Sequence, residues 1–83
     1  MDPRRFEVMQ RLNLVFQEVF DDETLQICDT TTAKDIEEWD SLEHISLIIA
    51  TEMEFGVRLN AAEVGRLHDV GAMIDLLLER LPA

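Results

Sequence analysis

The chain has 83 residues, of which 18 are Asp or Glu and 7 are Lys or Arg, giving a formal net charge of −11; 47% of the residues are hydrophobic. A chain of this length buries only about 60% of its unfolded surface, so it can hold one modest core and has little room for a deep active-site cleft. The charge argues against nucleic acid and anionic membrane, which are bound through clustered Lys and Arg. A basic protein partner is the natural expectation.

The cysteine content and the N-terminal sequence predict the cellular setting. Cys28 has no second cysteine with which to form an internal disulfide or a metal-binding pair. A reducing cytoplasm is the simplest setting, and we expect Cys28 to be a small core residue. The N-terminus lacks the apolar region of a signal peptide, and no run reaches the roughly 18 apolar residues of a membrane span. We expect one monomeric domain, residues 1–83.

The acidic residues are concentrated in the middle of the chain. Residues 1–16 hold two acidic residues and three Arg, and residues 55–83 hold four acidic residues and three Arg. Residues 17–54 hold twelve acidic residues and only Lys34, so this stretch carries the whole −11. A stretch of one sign forgoes the small gain of i, i+4 ion pairs. It is either a solubility surface or a surface that steers basic partners.

The first element is a helix over residues 3–20, since apolar residues recur at helical spacing and Pro3 suits a first turn. Residues 21–39 show no sustained period, which predicts a long loop attached to the core by Leu25, Ile27 and Ile36. Loops of this length are uncommon and tend to be functional.

The second helix is predicted over residues 41–54. Asp40 is its N-cap and Glu43 is placed as in a capping box, an arrangement worth about 1 kcal/mol. The helix has two apolar faces, and one core can hardly bury both. Its acidic residues make complete burial costly, so one face is expected to be exposed as a docking surface. Leu47 and Ile48 define the first face, and Leu42, Ile45, Ile49 and Met53 define the second.

The remaining elements are a short helix over residues 61–66 and a final helix over residues 70–81. Gly56 predicts a left-handed stop to the second helix. Asn60 and Glu63 repeat the cap spacing before the short helix, and Asp69 caps the last one. The predicted fold class is therefore all-α, a bundle of three long helices and one short helix with a long loop between the first two.

The tripeptide Asp40-Ser41-Leu42 opens the second helix. Ser41 would be the first helical residue, pointing outward where free N–H groups and the helix dipole favour a phosphate ester. Together with Glu52-Met53-Glu54-Phe55, the short helix from Asn60 and residues 70–78 (VGAMIDLLL), this motif resembles the acyl carrier proteins over nearly all of residues 4–81. The resemblance implies a carrier without catalytic residues of its own.

In that family, the motif serine receives 4′-phosphopantetheine from coenzyme A, and the thiol of this arm carries acyl groups as thioesters. The resemblance implies that Ser41 is the attachment site and that a phosphopantetheinyl transferase modifies it. Acyltransferase, ketosynthase or acyl- and aminoacyl-activating enzymes would be the further partners. The implied docking residues are Asp40, Leu42, Glu43, Ile45, Ile49 and Glu52. Those implied to line an acyl pocket are Leu47, Ile48, Leu59 and Val64.

Some residues depart from the pattern of fatty-acid carriers. Trp39 precedes the motif where many of those carriers have a small residue, and Ser46 and Met53 stand where they often have Glu. The sequence is more similar to discrete carriers of polyketide, nonribosomal-peptide or aminoacyl-transfer pathways than to a housekeeping fatty-acid carrier. Trp39 has a structural alternative, as a hydrophobic staple on the first turn of the second helix.

Three rival hypotheses remain. Ser41 and His44 could form a nucleophile–base pair, but no third group to orient His44 is evident, which favours His44 as a helix-surface or pocket-edge residue. The acidic clusters lack the ligand pattern of an EF-hand, so no dedicated metal site is predicted, although weak divalent cation binding stays open. The third is an unmodified acidic helical adaptor that docks basic partners through the second helix.

Overall fold

The computed structural model describes residues 2–82, apart from the side chain of Ala61. It contains α1 (Arg5–Val19), α2 (Ser41–Phe55), α3 (Ala61–Val64) and α4 (Val70–Arg80), and within these residues there is no β-strand. The predicted all-α class, with three long helices and one short helix, is confirmed. Met1 and Ala83, which the predicted domain includes, lie outside the described residues.

α1 and α3 are shorter than predicted because tighter turns replace α-helix at the start of α1 and the end of α3, and α4 ends one residue earlier than predicted, at Arg80. α1 begins at Arg5 rather than at residue 3, since the Asp2 side chain and carbonyl accept hydrogen bonds from the Arg4 and Arg5 amides in a preceding turn. α3 ends at Val64 rather than at residue 66. The amides of Arg66 and Leu67 bond to carbonyls three residues back, which closes the chain in the narrower manner of a 3₁₀ turn.

The core lies between α1, α2 and α4. Leu12 and Phe16 of α1, Leu47 of α2 and Ile74 of α4 are fully shielded from solvent. Gly56 ends α2 in the left-handed conformation, with φ of 64°, as its sequence position predicts.

The loop between α1 and α2 is fixed to α1 and to α4. Ile27 and Ile36 are buried and Leu25 packs against the core, as predicted. From α1, the side-chain oxygen of Asn13 accepts the Ile27 amide at 2.8 Å, and Gln17 donates to the Leu25 carbonyl at 2.9 Å. From α4, the amide of Gly71 donates to the Asp29 carbonyl at 2.8 Å. A Cβ on Gly71 would lie 3.1 Å from that carbonyl oxygen, so this approach favours glycine.

The prediction that Cys28 is a core residue is wrong, because its side chain is exposed. Residues 28–31 form a turn in which the Cys28 amide donates to the Thr31 hydroxyl at 2.9 Å, and Thr31 is the buried member. Hydrogen bonds with the hydroxyls of Thr30 and Thr31 lower the pKa of the Cys28 thiol. This turn of four residues leaves no signal in the hydrophobic pattern of the sequence.

Candidate functional site

Ser41 is the first residue of α2 and its side chain is exposed. The helix starts here because an oxygen of the Asp40 side chain accepts the Glu43 amide at 2.9 Å. The Asp40 amide donates to the Glu38 carbonyl at 3.0 Å, so the reciprocal bond of a capping box is replaced by a backbone turn. A hydroxyl presented at a capped helix start is accessible to an incoming enzyme.

Trp39 fixes the entry of the chain into α2. Its ring is buried, with its centroid 5.2 Å from that of Phe16 in an edge-to-face arrangement. On its other side the indole stacks on His44 and donates its N–H to His44 Nδ1 at 3.0 Å. Trp39 and His44 occupy the two positions that a hydrophobic staple joins across an N-cap, with a hydrogen bond added.

An open groove of about 880 Å³ runs beside Ser41. Its walls come from three stretches of the chain: the loop before α2, the first turn of α2, and the turn that connects α3 to α4. His44 lies in this wall, in agreement with the prediction of a pocket-edge residue. The lining residues are Thr32, Ala33, Lys34, Trp39, Asp40, Ser41, His44, Val64, Gly65, Leu67 and His68.

The structure places the two apolar faces of α2 on opposite sides. Leu47 and Ile48 are 0% and 8% exposed and belong to the core. The other face carries four large side chains that are between 52% and 80% exposed, namely Leu42, Ile45, Ile49 and Met53. Such a stripe of exposed apolar side chains has the character of an interaction surface.

The acidic side chains along α2 are partly engaged within the chain. A carboxylate oxygen of Glu52 accepts the Leu59 amide at 2.8 Å, which anchors the segment after Gly56. Glu54 forms an ion pair with Arg11 at 3.0 Å. Of these two carboxylates, Glu54 has its charge compensated by Arg11 of α1, whereas Glu52 keeps its charge because the Leu59 amide is a neutral donor.

The four residues predicted to line an acyl pocket lie in the core or beside it. Leu47 and Ile48 are core residues, and Leu59 and Val64 are half-buried beside that core. Of the four, only Val64 lines the groove next to Ser41. Sequence reasoning missed Lys34 and His68 in the same groove, because both lie in loops without periodic signal.

Other site types find little support in the described part of the chain. Within residues 2–82, no group of three or more His, Cys, Asp or Glu side chains is placed to hold a metal ion. No helix among them is long and apolar enough to span a membrane. His44 Nδ1 accepts from Trp39, so the group that orients this ring is an indole N–H rather than the carboxylate of a catalytic triad.

One comparison with known proteins, the one with solved structures, gives a match. The chain is similar to the solution NMR structure of a holo acyl carrier protein from Geobacter metallireducens, with 33% sequence identity and a TM-score of 0.83. The match covers 88% of this chain and 84% of that one. No family model matches the chain, and neither does any curated protein sequence.

Proposed function

Because this chain belongs to the acyl carrier protein family, we propose that it carries acyl intermediates as thioesters on a 4′-phosphopantetheine arm attached to Ser41. The observation that carries the proposal is the exposed Ser41 hydroxyl at a capped helix start, in a chain whose structure resembles a holo carrier protein. The arm supplies the terminal thiol to which acyl groups are joined.

Attachment requires a phosphopantetheinyl transferase. Ser41 Oγ attacks the phosphorus that bears the pantetheine, a new phosphodiester O–P bond forms, and the pyrophosphate bond of coenzyme A breaks. Adenosine 3′,5′-bisphosphate leaves, and the serine proton passes to a base of the transferase. The new phosphodiester lies at the N-terminus of α2, where the helix dipole and the first-turn amides favour negative charge.

The partner enzymes would approach the outer face of α2. We assign docking to Asp40, Leu42, Glu43, Ile45, Ile49 and Glu52, with the exposed apolar residues supplying affinity and the acidic residues supplying orientation and association rate. The partners would be the transferase and the acyltransferase, ketosynthase or activating enzymes that load and use the thioester. In this role the chain is a substrate of other enzymes and catalyses no step itself.

A specialised pathway fits the local sequence better than housekeeping fatty-acid synthesis. Trp39 is buried against α1 and bonded to His44, and the uncharged Ser46 and Met53 are exposed on α2. Partners that recognise this helix therefore meet the exposed apolar residues together with fewer carboxylates than a helix with Glu at positions 46 and 53 would present. Polyketide, nonribosomal-peptide or aminoacyl-transfer enzymes are the partners we propose. An acyl chain could reach the interior by way of Val64 towards Leu47, Ile48 and Leu59.

The experiment that tests the modification is intact-mass measurement after incubation with coenzyme A, Mg²⁺ and a broad-specificity phosphopantetheinyl transferase. We expect a gain of one phosphopantetheinyl group, lost in Ser41→Ala and retained in Ser46→Ala, a matched change at another exposed serine of α2. Titration of thiols in the folded protein should rise from one equivalent, the exposed Cys28, to two.

The alternative is an unmodified adaptor that uses the same helix. The exposed apolar stripe of α2 supports it, because that surface could bind a basic partner without an arm. An unchanged mass in the presence of a transferase that modifies a control carrier would contradict the carrier function and leave the adaptor as the better explanation.

A further inference from the structure

The groove beside Ser41 is lined by lysine and histidine side chains, two residue types that are rare in this chain. The sequence contains one Lys and two His, and Lys34, His44 and His68 all line this groove. Lys34 is also the only Lys or Arg of the stretch from 17 to 54, which carries twelve acidic residues. The three side chains come from the loop before α2, from α2 and from the turn after α3, and they line the groove together with Ser41.

The orientation of His44 is fixed by its neighbour. Since the Trp39 indole donates its N–H to His44 Nδ1, that nitrogen bears a lone pair, and the proton of the neutral ring must be on Nε2. Ser41 and His44 lie three residues apart on α2, so their side chains share one face. His44 therefore offers an N–H donor in the groove that Ser41 also lines.

Lys34 supplies the groove with one positive charge that is available to an anion. Among the described residues, no carboxylate lies within ion-pair distance of Lys34, whose side chain is exposed. His68 lies on the opposite wall, where its Nδ1 donates to the Arg66 carbonyl at 2.9 Å. Among the residues that line the groove, Asp40 is the acidic one, and one of its carboxylate oxygens accepts a hydrogen bond from the Glu43 amide.

We propose that this groove is a binding site for the phosphodiester on Ser41, with Lys34 Nζ and His44 Nε2–H as its ligands and Trp39 as the positioning residue for His44. His68 completes the opposite wall. The inference rests on the proposed attachment at Ser41 and deepens it, because it assigns the base of the arm a fixed position on the protein. The arm then leaves Ser41 along the groove between residues 32–34 and 64–68.

The test compares amide spectra of the ¹⁵N-labelled apo and holo proteins by NMR. A phosphodiester held in the groove should shift the amide signals of residues 32–34 and 65–68 as well as those adjacent to Ser41. Long-range ¹H–¹⁵N spectra should show His44 protonated at Nε2 in the holo form, with the Nε2–H proton moved downfield relative to the apo form. Shifts confined to residues 40–43 would overturn the site, because they describe an arm that extends into solvent.

Three variants distinguish binding of the phosphodiester in the groove from a general effect of the protein's charge. Lys34→Gln and His44→Phe, which retains an aromatic ring beside Trp39, should each abolish most of the holo shifts at residues 65–68. Arg58→Gln removes the same charge from a residue outside this groove and should leave those shifts intact. Shifts that are equal in all three variants would also overturn the site.

The mass of each sample distinguishes the two proposals. A wild-type protein that gains no phosphopantetheinyl group contradicts the proposed function and this inference with it. A protein that gains the group but shifts only residues 40–43 remains a carrier and contradicts this inference alone.

Discussion

Asp40 contributes to this protein in two ways that can be separated at the level of one side chain. Its carboxylate accepts the Glu43 amide and so fixes the start of α2, which sets the position of Ser41. The same carboxylate is exposed beside the groove and is a proposed docking residue. The first contribution needs only an oxygen acceptor, whereas the second needs the negative charge.

Substituting Asp40 should separate these contributions. Asp40→Ala removes the cap and should lower the free energy of unfolding by about 1 kcal/mol, a change of about 4–8 °C in melting temperature. Asp40→Asn keeps an oxygen acceptor, so it should retain most of that stability while slowing modification by the transferase. Urea unfolding and the initial rate of mass gain measure the two effects. Equal loss of stability in both variants would show that the charge, not the acceptor, stabilises the helix start.

At the level of elements, the sequence predicts those features that depend on neighbouring residues, namely the helix caps and the two faces of α2. The caps at Asp40, Asn60 and Asp69 appear in the structure as predicted, each accepting an amide three residues on. The two faces of α2 follow from helical periodicity alone. The ends of α1 and α3 differ from the prediction because tighter turns compete with the α-helix there.

The groove could not be predicted because it depends on long-range packing. Lys34, His44 and His68 meet only after the loop is fastened to α1 and α4, and no periodicity encodes that contact. The exposure of Cys28 has a local origin, since the turn of residues 28–31 buries Thr31 rather than the cysteine. Even so, the spacing of Trp39 and His44 across the cap is a local signal that a staple analysis could have used.

The two faces of α2 should respond differently to substitution. Ile49→Glu lies on the exposed stripe and should weaken partner association while changing the free energy of unfolding by no more than about 0.5 kcal/mol. Leu47→Ala removes a fully buried side chain and should cost about 2–5 kcal/mol. Circular dichroism during urea unfolding measures stability, and the transferase reaction at limiting carrier concentration measures association.

Leu14→Glu is the matched control for Ile49→Glu, because Leu14 is also an exposed aliphatic residue but lies on α1. It should leave the transferase reaction unchanged. Loss of the fold in Ile49→Glu, or equal effects of the two variants on the reaction, would show that the outer face of α2 has been assigned wrongly.

At the scale of the whole molecule, unpaired negative charge opposes folding. Residues 17–54 hold twelve acidic residues and one Lys. The ion pairs of the described residues draw only Asp29 and Glu54 from this stretch, through Arg5 and Arg11. The remaining carboxylates repel one another in the folded chain. An exposed ion pair contributes little, about 0–1 kcal/mol, so repulsion should dominate the response of stability to salt.

We therefore expect added NaCl to stabilise the protein. Between about 0.01 M and 0.1 M salt the Debye length falls from about 30 Å to about 10 Å, which screens repulsion across a protein of this size. The urea midpoint and the melting temperature should both rise. Glu37→Gln with Glu38→Gln removes two exposed charges of the acidic stretch and should reduce this salt response. A midpoint that falls with salt would mean that the ion pairs outweigh the repulsion.

The control for that double variant removes the same number of charges elsewhere. Glu7 and Glu79 are exposed near the start of α1 and the end of α4, so Glu7→Gln with Glu79→Gln makes opposing changes at the two helix dipoles. Its salt response should stay closer to that of the unaltered protein, since neither residue belongs to the acidic stretch. Equal responses in the two double variants would show that net charge alone matters. A larger reduction of the salt response in the double variant at positions 37 and 38 would place the repulsion next to Ser41, where a basic partner would relieve it on docking.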